Sequence, residues 1–162
     1  MGLVKMMKYK TIFLKMIADF NRDVTALGGA TFYFFVVLFL LVFGEYSLVL
    51  HLLFGFVISF LLIVVIRILY FKHRPAKQSY ANILEKIDAS SFPSWHALRV
   101  VFLGFSAALY VSDVWAKGLL LVIMLLAVYS RMYLRKHDLV DVLVGSVLGW
   151  GLFGVSKWLF LF

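Results

Sequence analysis

Within "SRMYLRKHDLVD", Ser130 to Asp141, His137 and Asp141 stand four residues apart. On a helix that spacing puts them on one face. An aspartate that accepts one imidazole N–H leaves the other ring nitrogen free to attack an electrophile, the orienting role it has in hydrolytic triads. Arg131 adds a guanidinium whose planar fork matches two oxygens of a phosphoryl group. An apolar run follows, so the pair falls in the first turns of a helix, where the dipole favours an incoming anion.

Two further clusters carry related chemistry. "RILYFKHRP", Arg67 to Pro75, places Arg67 inside the end of an apolar span and Arg74 seven residues on, about two helical turns. Pro75 biases Arg74 out of helical geometry and ends the element. "SSFPSWH", Ser90 to His96, has serines and a proline at the head of an apolar run, which describes a helix start. The backbone N–H groups of Ser94, Trp95 and His96 would point out of that start as an anion site. Each cluster alone also fits a snorkelling helix end, a structural cap or a charged loop. Together they put three arginines, two histidines and one carboxylate on one side of the chain. No carboxylate cluster offers a divalent cation a site, so the arginines are expected to do what Mg²⁺ does in other phosphoryl-transfer enzymes, without metal or other cofactor.

The elements that must position these residues are membrane helices. The 162 residues are 64% hydrophobic and 15% charged, and 18% are aromatic, far more apolar than soluble domains, which are roughly 45–50% apolar. The chain has no cysteine, which excludes a disulfide framework, a thiolate metal site and a cysteine nucleophile. A net charge of +8 suits anionic lipid or a phosphorylated substrate. Nucleic acid is not expected as a partner of a chain that lies mostly in lipid.

Residues 3–22 read as an amphipathic interfacial helix. Lys5, Lys8, Lys15, Asp19 and Arg22 share one arc, while Met6, Tyr9, Phe13, Met16, Ile17 and Phe20 share the other; Lys10 falls out of pattern. The lysines also interrupt any signal-peptide core. Five apolar spans are expected after it, at 28–44, 46–71, 96–112, 115–132 and 139–162. Trp115 and Trp158 fall near one membrane face. Tyr80, Ile83, Leu84 and Ile87 predict a short surface helix in the long 72–95 connection. Gly145 and Gly149, continued by Gly151 and Gly154, predict close helix approach in the span that follows His137. The fold expected is an all-α polytopic membrane bundle of five transmembrane helices plus the interfacial helix, with six spans as the variant. It forms a single domain over 1–162, with the interfacial helix and linker in 1–27 and the core in 28–162.

Five spans sort the loops onto two faces. Of the 16 lysines and arginines, 14 lie at or near the N-terminal face, and only Lys117 and Lys157 lie near the other. The positive-inside rule places that basic face, and the site on it, in the cytoplasm; if residues 3–20 cross the bilayer instead, the site lies opposite the N-terminus and faces outward.

In order and spacing the three clusters resemble the motifs of the type 2 phosphatidic acid phosphatase (PAP2) superfamily: Lys-x6-Arg-Pro, Pro-Ser-Gly-His and Ser-Arg-x5-His-x3-Asp. Here they read Arg67-x6-Arg74-Pro75, Pro93-Ser94-Trp95-His96 and Ser130-Arg131-x5-His137-x3-Asp141, and the third match is complete. "NRDVTALGG", from Asn21, looks like the segment that opens the family's core. The resemblance implies that His137 is the nucleophile, Asp141 its orienting partner and His96 the general acid. Arg67, Arg74, Ser94 and Arg131 would bind phosphoryl oxygens, with Trp95, Lys72 and Ser130 as pocket residues. It implies a multi-pass enzyme of the cell membrane that removes phosphate from a lipid such as a polyprenyl diphosphate, phosphatidic acid, phosphatidylglycerol phosphate or a lipid A phosphate. The same phosphohistidine could pass its group to another lipid, and the same bases could serve a non-catalytic binder of anionic lipid. Arg67 departs from the family's lysine, Trp95 from its glycine, and the family's first span has the amphipathic helix in its place.

Overall fold

A computed structural model describes residues 2–76 and 78–160, with side chains from Met7 onward; Lys5, Met6 and the expected end of the last span at Phe162 lie outside these. The described residues form seven helices and no strand: α1 (Gly2–Ala26), α2 (Ala30–Val42), α3 (Tyr46–Leu69), α4 (Ile83–Ala89), α5 (Trp95–Ala108), α6 (Val114–Tyr133) and α7 (Leu139–Phe160).

The helix at the centre is α5. It packs most extensively on α7 and also on α6 and α3. Nine of its 14 residues are buried, from His96 to Ser106. Its apolar character therefore serves contact with protein rather than with lipid. At 1.5 Å per residue it is about 21 Å long, short of the roughly 30 Å of hydrocarbon. The 13-residue α2 is shorter still.

The helices long and apolar enough to cross a membrane are α3, α6 and α7, and a fourth span exists if α1 and α2 count as one. Those two bend by 46° at the Leu27–Gly29 break. Of the five spans expected, three stand as separate full-length helices. The helix α5 reads as a span because hydropathy does not distinguish burial in protein from burial in lipid, and α2, mostly exposed, is long enough only together with α1.

Close approach holds α7 to α5. A Cβ at Gly145 would collide with the Ser94 carbonyl, and one at Gly149 with the Leu98 carbonyl. Gly151 and Gly154 have open space instead, so the small-residue contact ends at Gly149. The N–H of Ser94 donates to the Asp141 carbonyl at 2.9 Å and clips the two helix starts together.

At the far end His51, fully buried, bridges α3 to α5 and α7 through Ser106 Oγ and Ser156 Oγ, each at 2.8 Å. Trp115 and Trp158 are exposed there, as interfacial aromatics should be. α1 packs on α6, but much of its apolar face is uncovered, with Tyr9, Phe13, Met16 and Phe20 all more than half exposed. The surface helix predicted near Tyr80–Ile87 is α4, capped by the Asn82 side chain and carrying exposed Ile83 and Leu84.

Candidate active site

Four helix ends meet at one end of the bundle: the C-termini of α3 and α6 and the N-termini of α5 and α7. They bring Arg67, His96, Arg131 and His137 together, joined by Arg74 from the connection after α3.

His137 is placed by the way α6 ends. Arg135 takes a left-handed backbone, φ 53, and the N–H groups of Lys136 and His137 both turn back to the Arg131 carbonyl. A capping box then starts α7. Asp138 N–H donates to Asp141 Oδ2, and Asp141 N–H donates to Asp138 Oδ1, both at 3.0 Å. Lys72 binds both carboxylates, Asp138 Oδ2 at 2.5 Å and Asp141 Oδ1 at 2.8 Å.

The imidazole of His137 is 3% exposed. Its Nδ1 lies 2.7 Å from the Ser91 carbonyl and 3.8 Å from Asp141 Oδ2. A carbonyl can only accept, so Nδ1 carries the hydrogen and the lone pair is on Nε2. The hydrogen-bonding partner expected at Asp141 is thus a main-chain oxygen. Asp141 instead holds the helix start and Lys72. Burial, then the Arg131 guanidinium, push the His137 imidazole down to about 3, against the Ser91 hydrogen bond. At neutral pH the ring is uncharged with a free Nε2, which is the form a nucleophile needs. Burial is the largest single effect on Lys72 and Asp138 and opposes their charges, but the hydrogen bonds and charges they share with each other and with Asp141 together outweigh it, raising the ammonium and lowering the carboxyl.

Ser94 is the N-cap of α5 and is fully buried. Its Oγ accepts from Ala97 N–H, so the hydroxyl hydrogen stays available. Because its own N–H is held by Asp141, the free amides expected at this helix start reduce to those of Trp95 and His96. Beside them the His96 ring lies so close to Gly28 that a Cβ there would overlap it. This is one of the contacts made by "NRDVTALGG".

The arginines divide their donors. Arg67, 6% exposed, gives Nη1 to the Ile87 and Asp88 carbonyls and Nη2 to the Pro93 carbonyl, tying α3 to the loop before α5. Arg74 binds Gln78 Oε1 and the Asp88 carbonyl. Arg131 Nη1 donates to Thr25 Oγ1 at 3.1 Å. The Nε atoms of all three, with His96 Nε2 and Arg99 Nε, are buried without a partner. Buried polar nitrogens are nearly always paired, so five such atoms in neighbouring side chains indicate a place where an anion supplies the acceptors.

The other two pocket candidates are engaged elsewhere. Ser130 is fully buried and donates to the Ala127 carbonyl. Trp95 turns to α3, packing on Phe56 and Phe60 and donating to Ser59 Oγ. Sequence reasoning passed over Arg99, although a lone charge inside an apolar run is the signal that finds it. It had no means to find the Ser91 carbonyl, because every residue carries one.

The PAP2 superfamily model matches residues 48–161, and the chain belongs to that superfamily. Among solved structures it resembles Aquifex aeolicus LpxE with a TM-score of 0.70 and 21% identity, covering 87% of this chain and 85% of that one. At that identity the likeness is one of fold. No curated protein matches.

Proposed function

We propose that this protein is a multi-pass enzyme of the cell membrane that hydrolyses a lipid phosphate without a metal, through a phosphohistidine at His137. The observation that carries the reading is the Ser91 hydrogen bond: it keeps the hydrogen on Nδ1, so the ring that burial and Arg131 keep neutral presents an unprotonated Nε2, in the company of three arginines whose Nε atoms lack partners.

In this reading Nε2 of His137 attacks phosphorus, and Arg67, Arg74, Arg131, the Ser94 hydroxyl and the amides of Trp95 and His96 hold the oxygens as charge grows. Burial and the charges of Arg131 and Arg99 hold the His96 imidazole well below its ordinary value. The bound phosphate offsets those charges, so that His96 takes up a proton with the substrate and gives it to the leaving oxygen of the lipid. A water then attacks the phosphohistidine, His96 takes its proton, and inorganic phosphate leaves with His137 restored. Membership in the PAP2 superfamily supports the lipid phosphate class, with polyprenyl diphosphates, phosphatidic acid, phosphatidylglycerol phosphate and lipid A phosphates as candidates. The exposed apolar side of α1 supports an interfacial N-terminal helix on the same face as the site.

Purified protein in excess chelator should release phosphate from such lipids. Vanadate should inhibit, and acid quench should trap a phosphoenzyme that His137→Ala cannot form. Activity abolished by chelator and restored by Mg²⁺ would refute the mechanism. Because the chain lacks cysteine, single cysteines at positions 2, 78 and 114 report sidedness directly. The first two should react alike with an impermeant reagent, and the third oppositely.

A further inference from the structure

Arg99 lies three residues beyond His96 on α5, about 4.5 Å further along the helix axis and into the bundle. It is 8% exposed, and among the described residues nothing accepts a hydrogen bond from it; its Nε is buried and unpartnered. Its guanidinium lies over the Trp95 ring, with the carbon 4.4 Å from the ring centroid, and close enough to Tyr33 for the two to interact electrostatically. A cation–π contact offsets only part of the cost of taking a guanidinium out of water. The charge of Arg99 acts on both His96 and Arg131, so it shares their surroundings. Arg99 and Trp95 are thus paired: the residue that replaces the family's glycine roofs the guanidinium that sequence analysis passed over.

The mouth of the site already offers one phosphoryl group Arg67, Arg74, Arg131 and two amides. Arg99 is a turn deeper. Beyond it lies an apolar cavity of about 660 Å³, lined from α5 by Val100, Leu103 and Gly104 and from its neighbours by Leu27 and Ala127. Along α5, whose start lies beside His137 and Arg131, the order is His96, then Arg99, then Val100, Leu103 and Gly104, which line the cavity. A lipid diphosphate has the same order: terminal phosphoryl group, bridging oxygen, tail-side phosphoryl group, hydrocarbon.

We propose that Arg99 anchors a second anion subsite, and that the substrate is a lipid diphosphate whose tail-side phosphoryl group it binds. This rests on the phosphatase reading above and narrows its substrate. His137 Nε2 forms a bond to the terminal phosphorus as the bond from that phosphorus to the bridging oxygen breaks. The electron pair stays on the bridging oxygen, His96 supplies its proton, and the lipid monophosphate leaves with its remaining phosphoryl group on Arg99. Water then releases inorganic phosphate from His137.

The test compares farnesyl diphosphate with farnesyl monophosphate, using the full chain purified in detergent. Wild type should favour the diphosphate in kcat/KM. Arg99→Gln should lower kcat/KM for the diphosphate at least tenfold more than for the monophosphate, and Arg99→Lys should recover part of the difference. Equal losses on the two lipids, or none, would overturn the subsite. Thermal shift with inorganic phosphate and pyrophosphate reads the same subsite without turnover. Wild type should be stabilised at lower concentrations of pyrophosphate than of phosphate, and Arg99→Gln should narrow that gap. A wild type that releases no phosphate from either lipid yet shows the Arg99-dependent pyrophosphate preference would keep the subsite and discard the phosphatase reading. No pyrophosphate preference in wild type would overturn the subsite. If Arg99→Gln fails to fold, the wild-type comparisons decide.

Discussion

The Nδ1 atom of His137 is hydrogen-bonded to the main-chain oxygen of Ser91 at 2.7 Å, while the Asp141 carboxylate, four residues away, stands 3.8 Å off. The two acidic oxygens of Asp141 are committed to Lys72 and to the Asp138 amide. The tautomer of the imidazole is therefore set by a group that mutation of side chains cannot remove. Asp141→Asn should keep measurable phosphate release, reduced through loss of the cap and of the Lys72 contact, whereas His137→Ala should lose it entirely. Steady-state assays on the two variants check this; equal, complete inactivation would show that the carboxylate itself acts on the ring.

Lys72 joins the connection after α3 to the first turn of α7 by two charged hydrogen bonds. One of its partners, Asp141, is fully buried, so Lys72→Met strands a carboxylate from water. The expected loss is roughly 2 kcal/mol, as for other hydrogen bonds to charged groups. Thermal unfolding in detergent measures it, and Lys72→Arg should restore part of it.

Acid should destabilise the protein through His137. Burial and Arg131 hold the ring near 3 instead of the ordinary 6.5. A folded-state value below the unfolded one contributes stability that is complete above pH 6.5 and lost as the pH falls toward 3, because the unfolded chain takes up the proton first. Unfolding temperature measured from pH 8 to pH 4 should fall less steeply in His137→Asn, whose amide can still donate to Ser91. Parallel curves would show that another group carries the acid sensitivity.

The contact between α5 and α7 should tolerate no added methyl at Gly145, where a Cβ meets the Ser94 carbonyl. Two backbones must separate to admit it, so Gly145→Ala should destabilise by roughly 1–3 kcal/mol. The control is Gly151→Ala on the same helix, which faces open space and should fall within roughly 0.5 kcal/mol of wild type. Thermal unfolding of both separates packing from helix propensity.

Much about this protein was determined by the sequence alone. Hydropathy and charge mark a helical membrane chain, because a span must be apolar over its whole length whatever it packs on. The three clusters, from Arg67 to Asp141, are legible because their spacings follow helical turns and helix starts, which are local. Residues 83–89 declare a surface helix for the same reason. The rest depended on contacts between distant segments. That α5 is sheathed by protein, too short to span alone, follows from the Gly145 and Gly149 contacts with α7 and not from its own composition. Only the fold could bring the Ser91 carbonyl to His137 and Lys72 to Asp141, since these partners are 46 and 69 residues apart. Arg99 is a single charge in an apolar run until its place one turn below His96 and under Trp95 is known. Its meaning lies in what surrounds it, and that is a property of the tertiary structure.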